Sequence, residues 1–195
     1  MKHMRFWFLR VLIIVFTFSV SSLVKAQRSE VLLEKNWRFT KGDISDAMKP
    51  DFDDCKWEVV TIPHDWAIFG PFDRNNDLQN VAVKQNFEKK ASVKTGRTGG
   101  LPYVGIGWYR TMFDAFVDKQ ATLVFDGAMN EAHVYVNGQE VCFWPYGYNS
   151  FYCDVTPYIN KDGKKNILAV RLENKPQSSR WYPGAGLYRN VRLVT

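Results

Sequence analysis

The chain has 195 residues, a length that suits one domain with a single core. It carries 26 basic and 20 acidic residues, a net charge of +6. Four of the basic residues lie within the first 26 positions, so that 22 basic and 20 acidic residues remain in the rest of the chain. This nearly neutral remainder has no Lys/Arg stripe, which excludes nucleic acid as a partner.

The first 26 residues predict a secretory signal peptide. A basic start is followed by an apolar run over residues 11–23, and the small residues Val24 and Ala26 lie just before the predicted cut at Gln27. The run is too short for a comfortable membrane span, and an uncleaved anchor is the alternative. We therefore expect residues 1–26 to be removed and residues 27–195 to be exported, to the periplasm or outside the cell.

Three cysteines follow the predicted cut: Cys55, Cys142 and Cys153. An odd number in an exported protein leaves at least one free thiol. A disulfide between Cys142 and Cys153 is one alternative, and three buried, inert cysteines are the interpretation that we favour. The chain has no Cys-x-x-Cys pair and few histidines, so we expect neither a metal site nor a cofactor.

Two-residue alternation predicts a series of short strands. In chain order they lie at residues 30–39, 58–62, 108–113, 121–125, 132–136, 139–143, 166–172 and 190–194. The dipeptide Asn137-Gly138 between two of them is the strongest two-residue hairpin signal. Residues 45–48 are the one stretch in which a single helical turn is expected. Many short strands separated by turn residues predict an all-β sandwich.

Two stretches depart from this pattern. Residues 69–101 show little alternation and much Asn, Asp, Lys and Gly, which predicts a long loop that is functional or mobile. The sequence then stops at Thr195 within strand-like sequence, which indicates a fragment of a longer protein.

Six segments together resemble the N-terminal sugar-binding domain of glycoside hydrolase family 2, which contains β-galactosidases, β-glucuronidases and β-mannosidases. In family order they are residues 36–39, 57–66, 105–110, 125–138, 147–156 and 179–189. The Pro-His-Asp-Trp form of residues 63–66 and the Ser-Arg-Trp-Tyr-Pro-Gly-Ala-Gly form of residues 179–186 most resemble the β-galactosidase branch.

The resemblance implies a jelly-roll β-sandwich, like a galactose-binding domain, that packs on a (β/α)₈ barrel. The barrel would carry the two carboxyl groups of a retaining glycosidase, roughly 5 Å apart. This chain contains no such barrel, so we expect no catalytic residue in it and an inactive fragment. Glu131 follows Asn130 as in an acid motif, but it lies in a sandwich turn. The parent would hydrolyse terminal β-glycosides, with its homo-oligomeric state left open.

Four residues are the candidate sugar contacts that the resemblance implies. Asp65 would accept hydrogen bonds from the terminal sugar, and its alternative role is to cap a turn. Trp66 beside it would cover an apolar sugar face. Arg180 would donate either to the sugar or to a carboxylate of the barrel. Trp181 is a sugar contact if exposed, and otherwise packs in the core or against the barrel.

Other residues are expected to be structural. Gly184 and Gly186 would permit a tight turn before the last strand. His64 would support the fold, while His133 would face solvent or a neighbouring strand. Trp108 and Trp144 would pack rather than bind sugar. The rival function is a free-standing carbohydrate-binding module or lectin, which the downstream coding sequence would distinguish from an enzyme.

Overall fold

The structure is a computed structural model that describes residues 28–69, 73, 78–84, 86–95, 104–114, 120–160, 162–175 and 184–195. The predicted signal peptide, residues 1–26, lies outside these ranges. No helix within them is long and apolar enough to cross a membrane.

The described residues form two antiparallel sheets and a separate strand pair. In spatial order, the four-stranded sheet contains β1 (Glu30–Leu32), β12 (Val191–Val194), β7 (Thr122–Phe125) and β10 (Phe151–Asp154). The six-stranded sheet contains β3 (Glu58–Val60), β2 (Trp37–Lys41), β6 (Gly105–Phe113), β11 (Asn166–Asn174), β8 (Ala132–Val136) and β9 (Gln139–Trp144). The separate pair is β4 (Leu78–Val83) and β5 (Ser92–Thr95).

The core contains the inward-facing residues of both sheets. On β8, Val134 and Val136 are fully buried at every second position, and on β7 the same is true of Leu123 and Phe125. All four belong to one hydrophobic cluster. Truncating such a side chain to alanine costs about 2–5 kcal/mol, because a cavity is added to the lost burial. The predicted all-β sandwich is confirmed.

The predicted hairpin at Asn137 and Gly138 joins β8 to β9. Both residues have positive φ, 51° and 84°, as a type I′ turn requires. The Asn137 side chain also connects the turn to later parts of the chain. Its Nδ2 donates to the Tyr158 carbonyl at 2.8 Å, and its Oδ1 accepts from the Ile167 amide at 2.9 Å.

The strand predicted over residues 30–39 is divided in two. β1 pairs with β12 in one sheet, and β2 pairs with β6 in the other, so the chain crosses the sandwich between them. Asn36, at φ 62°, lies just before β2 and allows the change of direction. Alternation alone does not show such a crossing, since the pattern of a strand does not identify the sheet to which the strand belongs.

Two local predictions need correction. The loop predicted over residues 69–101 contains β4 and β5, which pair with an irregular register. Residues 45–48 form hydrogen-bonded turns rather than a helix, and a short 3₁₀ helix lies instead at Trp66–Phe69.

The expectation of three buried, inert cysteines is wrong. Cys142 of β9 and Cys153 of β10 form a disulfide with a Cα–Cα distance of 5.9 Å, and Cys55 is an exposed free thiol. β9 and β10 are edge strands of different sheets, so the bond joins the two sheets at one side of the sandwich. The sequence does not show which edges meet, and a spacing of eleven residues is compatible with many arrangements.

Candidate functional site

The segment with the sequence Pro-His-Asp-Trp, residues 63–66, follows β3 and runs beside the segment that precedes β12. The backbone amide of His64 donates to the Leu187 carbonyl at 2.8 Å, and that of Trp66 donates to the Ala185 carbonyl at 3.1 Å. Gly186 lies between these contacts with φ 109°, and a Cβ there would be 2.6 Å from the His64 carbonyl oxygen. Glycine is therefore required for the two segments to approach this closely.

Asp65 connects the two segments through its side chain. Its Oδ1 accepts hydrogen bonds from the Ala67 amide at 2.8 Å and from the Ala185 amide at 2.9 Å. The hydrogen bond from Ala67 caps the 3₁₀ helix. The hydrogen bond from Ala185 joins residues that are 120 positions apart in the sequence. The structure thus shows the turn-capping role of Asp65 and fixes the orientation of its half-buried carboxylate. Its contact with a sugar stays a prediction.

Trp66 packs in the core. Its side chain is 1% exposed and stacks on Phe39, with ring centroids 5.4 Å apart. Gly107 makes room for the indole, because a Cβ there would be 2.5 Å from Trp66 Cζ3. This placement does not fit the expected sugar platform, since a platform requires an exposed ring face.

His64 has the structural contacts that its expected role requires. Its Nδ1 is 2.7 Å from the Tyr109 hydroxyl, and its ring lies edge-on to Phe39. Burial lowers the pKa of His64 below its ordinary value of 6.5, against smaller opposing effects from nearby carboxylates. Burial likewise raises the pKa of the Tyr109 hydroxyl well above its ordinary value of 10.0. Both groups are therefore neutral at neutral pH and share one short hydrogen bond.

Two exposed apolar residues beside Asp65 were not found from the sequence. Ile68 and Phe69 end the 3₁₀ helix and are 55% and 73% exposed. The Phe69 ring stacks on His64, with ring centroids 6.2 Å apart. An aromatic ring beside a carboxylate is a common pair in sugar sites. The alternation of residues 63–69 gives no sign of which ring is exposed.

The remaining predicted residues divide between described and undescribed parts of the chain. Arg180 and Trp181 lie outside the described residues. Gly184 and Gly186 both have positive φ, as the tight turn requires. His133 on β8 contacts the neighbouring β9, where its Nδ1 is 2.7 Å from Glu140.

Other residues considered from the sequence have packing or ion-pair roles. Trp108 is 1% exposed, and Trp144 is half-buried and stacks on Phe151. The Glu131 carboxylate forms an ion pair with the Lys175 ammonium at 2.5 Å. Within the described ranges, no group of three or more His, Cys, Asp or Glu side chains is arranged to hold a metal ion.

Comparison with known proteins adds the family. A β-galactosidase of Bacteroides ovatus is 41% identical over 180 residues, which is 90% of this chain and 19% of the relative. The solved structure of a β-glycosidase from Bacteroides vulgatus is 32% identical with a TM-score of 0.68, over 86% of this chain and 20% of that one. A Bacteroides uniformis β-glucuronidase structure is 27% identical, with a TM-score of 0.66 over 86% of this chain and 18% of that one.

The chain thus spans about a fifth of the length of the relatives that it matches. Residues 31–195 match the family described as "Glycosyl hydrolases family 2, sugar binding domain". This match covers most of the chain, and the B. ovatus relative exceeds 30% identity over nine-tenths of it. The chain belongs to glycosyl hydrolase family 2, and residues 31–195 are the sugar-binding domain of that family.

Proposed function

We propose that the chain is the non-catalytic domain of an exported, retaining β-glycosidase that acts on terminal β-galactosides. The observation that carries this proposal is the Asp65 contact, which joins two family segments and holds the carboxylate in one orientation; the 3₁₀ helix that Asp65 caps ends at the exposed Phe69. In the full-length enzyme this carboxylate accepts hydrogen bonds from the terminal sugar. Arg180 and Trp181 are proposed to complete the contact.

The β-galactoside preference rests on the B. ovatus relative and on the sequence of residues 63–66 and 179–186. It is tested with aryl β-galactoside and aryl β-glucuronide substrates and the full-length protein. We expect kcat/KM for the galactoside to exceed that for the glucuronide by at least tenfold. A preference for the glucuronide would refute the proposed β-galactoside specificity, but it would not contradict the proposed non-catalytic role of the domain.

The supporting, non-catalytic role is tested separately with residues 27–195. Retaining hydrolysis requires two carboxyl groups placed on either side of the scissile bond. The carboxylates of Glu131 and Glu173 lie near each other, but Lys175 binds both, at 2.5 Å and 4.0 Å. We therefore expect no turnover of aryl β-galactosides by this fragment. Turnover that is lost on Glu131→Gln would contradict the proposal.

Export is supported by the basic and apolar start of the chain and by the pairing of Cys142 with Cys153, since disulfides persist in oxidising compartments. We expect the mature protein to begin at Gln27 and to fractionate with the periplasm or the medium. N-terminal sequencing of the purified mature protein tests both the cut and the export. An intact Met1 in a cytoplasmic fraction would refute them.

A further inference from the structure

An open-sided pocket of about 470 Å³ lies on the outer face of the six-stranded sheet, away from the core. Its floor includes Arg38 of β2 and Arg110 of β6, and the segment that contains Phe52 and Asp54 forms one wall. The pocket shares no residue with the Asp65 segment. Ligand pockets in proteins have volumes of roughly 300–1,000 Å³, so this one suits a ligand the size of a monosaccharide or slightly larger.

The floor of this pocket carries an unusual pair of charges. Arg38 and Arg110 are directly opposite each other in the register of β2 and β6. Like charges in this position repel each other and destabilise the strand pair. Among the lining residues, Asp54 supplies the one carboxylate, compared with two guanidinium groups.

Arg110 uses this carboxylate and is fixed by the wall. Its Nε donates to Asp54 at 2.8 Å, and its Nη1 donates to the carbonyls of Lys49, at 3.1 Å, and Ala47. The side chain is 2% exposed in this network. Arg110 therefore holds the wall in place, and its charge is largely neutralised by Asp54.

Arg38 keeps most of its donor capacity. Among the described residues, its one hydrogen bond is a long contact of 3.5 Å from Nη1 to the Trp57 carbonyl. A guanidinium group has five donors, arranged as a fork that matches a carboxylate. The half-buried position of Arg38 limits the competition from water.

Apart from Asn36 and Thr111, the rest of the lining is apolar. Phe52, Met112 and Ile167 border the pocket, and Met112 is 60% exposed. A ligand with an apolar face would cover these side chains while its charged group reached Arg38. Since the charge on the floor is positive in sum, that group is an anion.

We propose that this pocket binds a small organic carboxylate, which pairs with Arg38 and lays its body over Phe52 and Met112. This chemistry is found in a uronate sugar and in an apolar organic acid, and the ligand series below separates the two. The inference is independent of the proposed β-galactosidase activity, because no residue of the pocket takes part in that site.

The test is calorimetric titration of the full-length protein with glucuronate, glucose and benzoate at low ionic strength. We expect glucuronate or benzoate to bind and glucose to bind at least tenfold more weakly, since glucose lacks the charge. Tighter binding of glucuronate assigns the site to acidic sugars, and tighter binding of benzoate assigns it to apolar acids. Equal binding of glucose, or equal binding of inorganic sulfate, would overturn the proposal.

Arg38→Gln supplies the residue-level test, with Arg171→Gln as the matched control on the same sheet face. Arg171 is half-buried and is already paired with Asp43 and Glu173. We expect Arg38→Gln to weaken carboxylate binding by ten- to a hundredfold, Arg171→Gln to leave it unchanged, and neither to alter kcat/KM. If Arg38→Gln does not fold, Arg38→Lys keeps the charge, loses the fork and is expected to bind at least fivefold more weakly. Unchanged affinity in the folded Arg38 variant would refute the site.

Discussion

The two hydrogen bonds that Asp65 accepts allow its structural and sugar-binding roles to be separated by a pair of substitutions. Asp65→Ala removes the acceptor of the Ala67 and Ala185 amides, which are 2.8 Å and 2.9 Å from Oδ1. Ala67 and Ala185 are 2% and 0% exposed, so water does not readily replace the lost oxygen. We expect Asp65→Ala to lower the free energy of unfolding by about 2–4 kcal/mol, from one lost cap and one unsatisfied buried donor.

Asp65→Asn is the matched control, because its amide oxygen can accept both hydrogen bonds. The charge is lost and the geometry is kept, so we expect a loss of less than about 1 kcal/mol in the free energy of unfolding. If Asp65 also accepts a hydroxyl proton of the terminal sugar, the full-length Asn variant loses a charged hydrogen bond. Its kcat/KM should then fall by about ten- to a hundredfold while its stability is nearly unchanged.

The assay is kcat/KM on an aryl β-galactoside together with urea unfolding of the wild type and both variants. A large loss of stability in Asp65→Ala with normal kinetics in Asp65→Asn would refute the sugar contact and leave Asp65 as a cap. Normal stability in Asp65→Ala would refute the structural argument made from the two Oδ1 contacts.

Three further predictions concern stability and are checked by urea unfolding. Joint replacement of Cys142 and Cys153 by alanine is expected to lower the free energy of unfolding by about 3 kcal/mol, because the disulfide removes the loop-closure entropy of an 11-residue separation. The wild type should lose the same free energy in reductant. The pKa of His64 is lowered by burial, so the contribution of its neutral form is complete above pH 6.5 and is lost as the pH falls toward and through the folded-state pKa. His64→Asn should flatten this dependence, and an unchanged slope would contradict it. Gly186→Ala should lower the free energy of unfolding by at least about 2 kcal/mol, because its φ of 109° and the His64 carbonyl oxygen, 2.6 Å from the added Cβ, both oppose a side chain. Gly163→Ala is the control, since Gly163 lies in open space at φ 75° and its substitution tests the backbone strain alone.

Several strands were predictable where one face is buried and the other is not, although β10, which also alternates, was not among the predicted strands. On β8 the alternation of apolar and polar residues matches the burial, and the Asn137-Gly138 turn requires positive φ at two positions, which these residue types tolerate. The pairing of strands was not predictable in the same way. β1 and β2 lie within one predicted strand yet belong to different sheets, and the disulfide depends on the approach of β9 and β10, which no local pattern describes.

In the candidate site, too, the local sequence identified individual residues but not the contacts that depend on distant parts of the chain. Asp65 was found because it belongs to a recognisable segment, but its second hydrogen bond comes from Ala185, and that contact is set by the packing of the final segment. Trp66 was expected to face a sugar because it is next to Asp65, yet Gly107, on a strand 41 positions away in sequence, opens the space that buries it. Trp66 begins the 3₁₀ helix and is 1% exposed, whereas Phe69 ends the helix and is 73% exposed. Of the two aromatic residues of this helix, Phe69 is therefore the exposed one, and the sequence pattern alone does not distinguish it from Trp66.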